Sequence, residues 1–179
     1  SYIKERNYIM KNESLNNVIR SIKSSWTGLN SDTVINCREQ LEQLSKTPSS
    51  EPWLIDLHNK KQESVELYRD AELGFILLAH VEMKGKYRVP HNHGAGWVFY
   101  AVQHGVMEMS TYYQVTDSMG KTRLVSRGAG KIIVGECNAY LPGDIHDTKC
   151  LTEYVLMFRL TSCDFKNERR EGRLIQYVT

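Results

Sequence analysis

The sequence predicts an all-β domain, a sandwich or barrel, preceded by two N-terminal α-helices. Three observations carry this. From about residue 65 onward, short runs rich in Val, Ile, Tyr and Phe follow one another at close spacing. Turn residues separate them, most clearly Gly105, Ser118-Met119-Gly120, Gly128-Ala129-Gly130 and Pro142-Gly143, and no helical periodicity intervenes. The first fifty residues instead place their apolar side chains at helical intervals.

In the first helix, Ser14 is the expected N-cap, and Leu15, Val18, Ile19, Ile22 and Trp26 form one face. Thr27-Gly28-Leu29-Asn30 breaks the pattern. Ser31 or Asp32 would cap a second helix with Val34, Cys37, Leu41 and Leu44 on its buried side, ending before the loop Thr47-Pro48-Ser49-Ser50. Strands are expected at 65–69, 74–83, 87–92, 97–103, 106–115, 122–127, 130–134, 138–141, 153–161 and 173–178. Residues 1–64 thus read as a helical segment packed on a barrel of residues 65–179, one domain overall.

The chain has 179 residues and a formal net charge of +2, which implies no polyanionic partner and no nucleic acid. The KNERREGR run near the C-terminus reads as a solvated surface segment. No apolar run approaches membrane-spanning length and no signal peptide opens the chain. The four cysteines form no CxxC pair, so a reducing cytoplasm is the expected location.

The chemistry lies in "YRVPHNHGAGWVFYAVQHG". His91 and His93 are two apart, and alternate strand residues share a face. Pro90 and Gly94 flank them. In "YLPGDIHDTKC", His146 follows a Pro-Gly turn and supplies a third imidazole. Three neutral imidazoles are a facial ligand set for a divalent metal.

These motifs resemble the cupin superfamily. Its first motif is Gly, five residues, HxH, three or four residues, Glu, six residues, Gly. Here Gly85, His91-Asn92-His93, Val98 and Gly105 keep every spacing, and only the Glu is replaced. Of the second motif, Gly135, Pro142, Gly143 and His146 remain, with the Pro shifted and Cys150 where Asn is expected. The resemblance implies a jelly-roll (double-stranded β-helix) barrel holding a metal on His91, His93 and His146. Without the Glu, the metal keeps its full positive charge, and the chain is similar to the three-histidine thiol dioxygenases, the cysteine-dioxygenase type. That likeness implies ferrous iron, with Ni, Mn or Zn as alternatives, and a small organic thiol oxidised by dioxygen to its sulfinic acid. The Ser-x-His-x-Tyr relay of that group is not retained: its register falls on Arg159, Thr161 and Cys163.

Further candidates follow. Arg159 stands in the apolar run "YVLMFRLTS" and must find an anion or solvent. It reads either as a structural ion pair or as a clamp for a substrate carboxylate. Arg69 lies near the position from which that group's arginine does this job. With Val98, Tyr100 and Val102 facing inward, Tyr100 is the candidate hydroxyl over the metal; the alternative is a core tyrosine. Trp97, Phe99 and Ala101 would face the other way. His104 is expected to be exposed, His58 and His80 to be structural, and Asp147 to be a turn or supporting residue. Two other readings use the same site: a cupin lyase, isomerase or non-thiol dioxygenase, and a non-catalytic small-molecule binder. A homodimer through sheet edges is compatible with the sequence, though no residue argues for it.

Overall fold

In the computed structural model, residues 2, 4 and 12–177 are described. The rest of the expected helical start, and residues 178 and 179, lie outside them. The first helix, α1 (Glu13–Ser25), buries Leu15, Val18 and Ile22, the face its spacing predicts. Ser14 is not its cap. Asn12 precedes the helix, and the Ser14 hydroxyl donates to the Glu51 carboxylate. The second helix, α2 (Ser31–Ser45), is capped by Asn30 and not by Ser31 or Asp32: the Asn30 side chain accepts from Thr33 N at 2.9 Å. A third helix, α3 (Pro52–Lys60), was not expected. It is nine residues long and buries only Leu54 and Leu57, too short a stripe to register as a period.

Among the described residues nine strands follow: β1 (Ser64–Arg69), β2 (Ile76–Met83), β3 (Tyr87–His91), β4 (Val98–His104), β5 (Met107–Thr116), β6 (Thr122–Ile132), β7 (Cys137–Tyr140), β8 (Ile145–Cys150) and β9 (Tyr154–Thr161). They pair antiparallel in two sheets, in the orders β1-β2-β9-β4-β7 and β3-β8-β5-β6. Runs 122–127 and 130–134 merge into the single strand β6. Of the run expected at 173–178, residue 178 lies outside the described residues, and 173–177 form no strand, with only Gln176 bridging to His91. A short helix, α4 (Phe165–Arg170), stands where the solvated basic run was expected.

The missed strand is β8, which carries His146. Its sequence IHDTKC lacks the apolar alternation of a strand because its buried positions are polar: His146, Asp147 and Thr148 are all buried.

Two cores result. The outer one lies between the helices and the five-stranded sheet, where Ile22, Leu41, Leu44 and Leu54 bury against Phe99, Phe158 and Leu160. Each such leucine contributes roughly 1.5–3 kcal/mol by leaving water. The inner core lies between the sheets and includes Val98, Tyr100, Val102, Met107, Met109 and Met157. β4 feeds both, with Phe99 and Ala101 facing the helices and Val98, Tyr100 and Val102 facing inward. That alternation is the one expected from the sequence.

Candidate metal centre and its cavity

β3 ends at His91, so His93 stands on the following loop rather than in the strand. His146 lies opposite His91 on the neighbouring strand β8. Chain extension and cross-strand pairing therefore bring the three rings together. Their centroids are 5.1 Å (His91–His93), 4.7 Å (His91–His146) and 4.9 Å (His93–His146) apart. One ligand atom from each lies within 4.8 Å of the other two, and no carboxylate joins the group among the described residues.

The chemistry of this donor set fits a divalent metal. His93 Nε2 and His146 Nε2 face each other at 3.1 Å. Two nitrogens sharing an ion at about 2.0–2.1 Å, in octahedral or tetrahedral geometry, lie roughly 2.9–3.4 Å apart. The Nδ1 of His91 is taken by the Val89 carbonyl at 2.8 Å, which leaves its Nε2 for the cluster. Burial lowers all three imidazoles: His93 to about 2, His146 well below its ordinary value, and His91 in the same direction. They are neutral at pH 7, the form that ligates.

Aromatic walls fix the rings. Tyr140 stacks on His146 at 4.0 Å and its hydroxyl meets Met109 Sδ at 3.1 Å. Phe165 stacks on His93 at 5.2 Å. The loop carrying His93 is held from α4 and the C-terminal segment. Buried Glu168 accepts from Ala95 N at 2.9 Å and pairs with Arg173. The Asn92 side chain accepts from Ile175 N at 2.8 Å. Gly96 is required here, since a Cβ on it would lie 2.6 Å from the Phe165 ring and 2.9 Å from Cys163 Sγ. Tyr140, Phe165 and Glu168 escaped sequence reasoning. For the latter two the available signal was Asp164, which accepts from Lys166 N at 3.0 Å and starts α4.

His91 opens onto a cavity of about 600 Å³ between the sheets, also lined by His80, Glu82, Tyr100 and Arg159. Arg159 sits beside Tyr100 in the sheet register and lies 5.7 Å from the Tyr100 ring and 5.1 Å from that of Phe165. No described carboxylate forms an ion pair with it. Tyr100 is buried, and burial raises its pKa although Arg159 opposes this, so its hydroxyl keeps its proton. Arg69 is placed elsewhere. It lies on the outer edge, paired with Glu66 at 2.7 Å and Asp164 at 3.3 Å, and does not line the cavity.

His80, read as structural, lines the cavity and is buried, with burial lowering it to about 3. Seven buried side-chain N or O atoms lack a hydrogen-bond partner among the described residues, and four of them lie on this lining: His80 Nε2, Glu82 Oε2, Thr148 Oγ1 and Arg159 Nε. Buried polar atoms are ordinarily satisfied, so these four are the groups left to bond water or another occupant of the cavity. Asp147 points away from the ring cluster and accepts from Tyr87 and Tyr112, each at 2.8 Å. His104 is exposed and stacks on Tyr154 at 4.2 Å, while His58 bonds Tyr154 and Gln103.

The two sheets and three imidazoles define a mostly β protein with a centre able to hold a metal. No family model and no curated protein matches the chain. Solved structures similar to it include the cupin domain of Schizosaccharomyces pombe Cnp3, at 10% identity and a TM-score of 0.45 over 63% of this chain and 69% of that one. Another is Bacillus subtilis oxalate decarboxylase, described with Mn(II) centres, at 13% identity and a TM-score of 0.38 over 50% and 21%. A third is peruvianin-I, a cysteine peptidase from Thevetia peruviana latex, at 13% identity and a TM-score of 0.40 over 51% and 52%. The chain thus spans about half of peruvianin-I and about a fifth of the decarboxylase. These are weak likenesses of fold, and none bears on activity.

Proposed function

We propose that this protein is a metal-dependent oxygenase that converts a small anionic thiol and dioxygen to the sulfinic acid, with ferrous iron held by His91, His93 and His146 in a jelly-roll cupin. The overall reaction balances without another reductant, since RSH and O2 give RSO2H. When bound, iron supplies the redox chemistry that activates dioxygen. The chain's own residues bind and orient. The observation that carries this reading is a cluster of three neutral imidazoles, with no described carboxylate in it, that opens through His91 onto a cavity also lined by Arg159, which has no described acidic partner.

Arg159 suits a substrate carboxylate, because its planar fork binds one bidentately and its Nε is buried without a partner. The protonated Tyr100 hydroxyl is a donor for the same substrate. Four unpaired cysteines and ferrous iron both suit a reducing compartment such as the cytoplasm. No helix among the described residues is long and apolar enough to cross a membrane.

Anaerobic ferrous reconstitution followed by oxygen-electrode assays with cysteine, 3-mercaptopropionate and cysteamine tests the proposal. Uptake is expected with the carboxylated thiols. Arg159→Ala should raise their KM about tenfold or more, the loss of a charge-assisted pair, and leave cysteamine unaffected. Background uptake with iron fully bound would exclude a thiol substrate.

A further inference from the structure

A monocarboxylate thiol needs one guanidinium, and Arg159 supplies it. The cavity is far more basic than that. Six basic side chains line it against one acid, Glu82, although the whole chain carries a formal net charge of only +2. Arg88 is matched by Glu82 and Glu63. Lys86, Lys166, Arg169 and Arg170 form no ion pair with a described carboxylate; Arg170 reaches only the Asn167 amide.

The helix α4 sorts its charges by face. Lys166, Arg169 and Arg170, at helical spacing, line the cavity. Asp164, Asn167, Glu168 and Glu171 line a separate hollow on the other side, where Arg173 pairs with both glutamates. The three bases of α4 thus share the cavity side, while its one acid, Glu168, and the flanking Asp164 and Glu171 take the other. Size points the same way. About 600 Å³ is within the usual range for sites that enclose drug-sized ligands, and a thiol as small as cysteine leaves most of it unfilled. Phe165 lies against the Arg159 guanidinium at 5.1 Å, at the start of the helix that carries the three outer bases, so the positive charge falls into an inner and an outer group.

We propose that the cavity takes a substrate with two anionic groups. One is a carboxylate at Arg159 beside the histidines. The other, a carboxylate or a phosphate, is held by Lys166, Arg169 and Arg170 of α4 together with Lys86 of the β2–β3 turn. This deepens the oxygenase reading and rests on it only for the chemistry at the inner end.

Calorimetric titration of the purified full chain with acetate, glutarate and 3-phosphoglycerate at low salt tests it. Glutarate or 3-phosphoglycerate should bind at least about tenfold more tightly than acetate, and whichever is tighter identifies the outer group as carboxylate or phosphate. The double variant Lys166→Glu/Arg169→Glu should lose that gain, and Lys86→Glu should lose part of it. Arg123→Glu/Arg127→Glu, the same charge change on exposed β6, should keep it. Equal affinity for all three probes, or an equal loss in the β6 variant, overturns the proposal. Selective binding without thiol-dependent oxygen uptake would sink the oxygenase reading and leave this one standing, and the reverse result would do the opposite.

Discussion

At the scale of single residues, the centre depends on imidazoles kept neutral by burial and held by neighbours that are not ligands. His146 is wholly buried, faces His93 nitrogen to nitrogen and is stacked by Tyr140. His146→Ala therefore leaves two ligands and should reduce metal content, read by elemental analysis of freshly purified protein, from stoichiometric to background. Retained stoichiometric metal would mean that another side chain is the third ligand. Arg159 and Tyr100 belong to the same scale. Both are candidates from their chain context, and the register of β4 on β9 sets them side by side. Arg69 was an equal candidate until its position was known; the acids Glu66 and Asp164 hold it on the outer edge.

At the scale of elements, α4 joins the three-histidine cluster to the cavity. One end presents Phe165 to the His93 ring, and one face presents bases to the cavity. Its approach depends on the absence of a side chain at Gly96. Gly96→Ala should force Phe165 or the loop aside. Overpacking of this kind typically costs about 1–3 kcal/mol, and urea denaturation of the metal-free protein measures it. The same variant should bind metal more weakly, because the displaced ring is the one that stacks on His93. Unchanged stability together with unchanged metal affinity would show that α4 does not brace the loop.

At the scale of the whole molecule, four neutral histidines, three buried and His91 partly so, couple the fold to pH. His80, His91, His93 and His146 all have pKa values lowered, chiefly by burial. Between the ordinary histidine value near 6.5 and the lowered one, the unfolded chain binds protons that the folded chain does not. Stability of the metal-free protein is therefore complete above about pH 6.5 and falls as the pH drops below it. His80, lowered to about 3, touches no ligand and isolates one share of this effect. Denaturation midpoints measured from pH 7 to 5 should fall steeply. His80→Gln should flatten the slope by up to about 1.4 kcal/mol per pH unit, the value of one proton. An identical slope in the variant would mean that His80 protonates freely in the folded state.

The sequence by itself determined the β character, the two N-terminal helices though not their caps, and the three clustered histidines, because each is written in local spacing: period 3.6 in α1 and α2, apolar runs between turns, an HxH, and a histidine after a Pro-Gly turn. It also determined which side of β4 faces inward, since alternation along a strand is a local property. What it left undecided lay in contacts between distant segments. β8 reads as loop because its buried positions are polar and are satisfied, or kept for a ligand, only in the folded state. The basic run near the C-terminus is exposed, as its sequence indicates, but that Lys166, Arg169 and Arg170 also border the cavity depends on strands up to ninety residues away. Only the tertiary structure could choose Arg159 over Arg69 as a cavity residue. The choice turns on which guanidinium has a carboxylate within reach, and that is a matter of distance in space rather than along the chain.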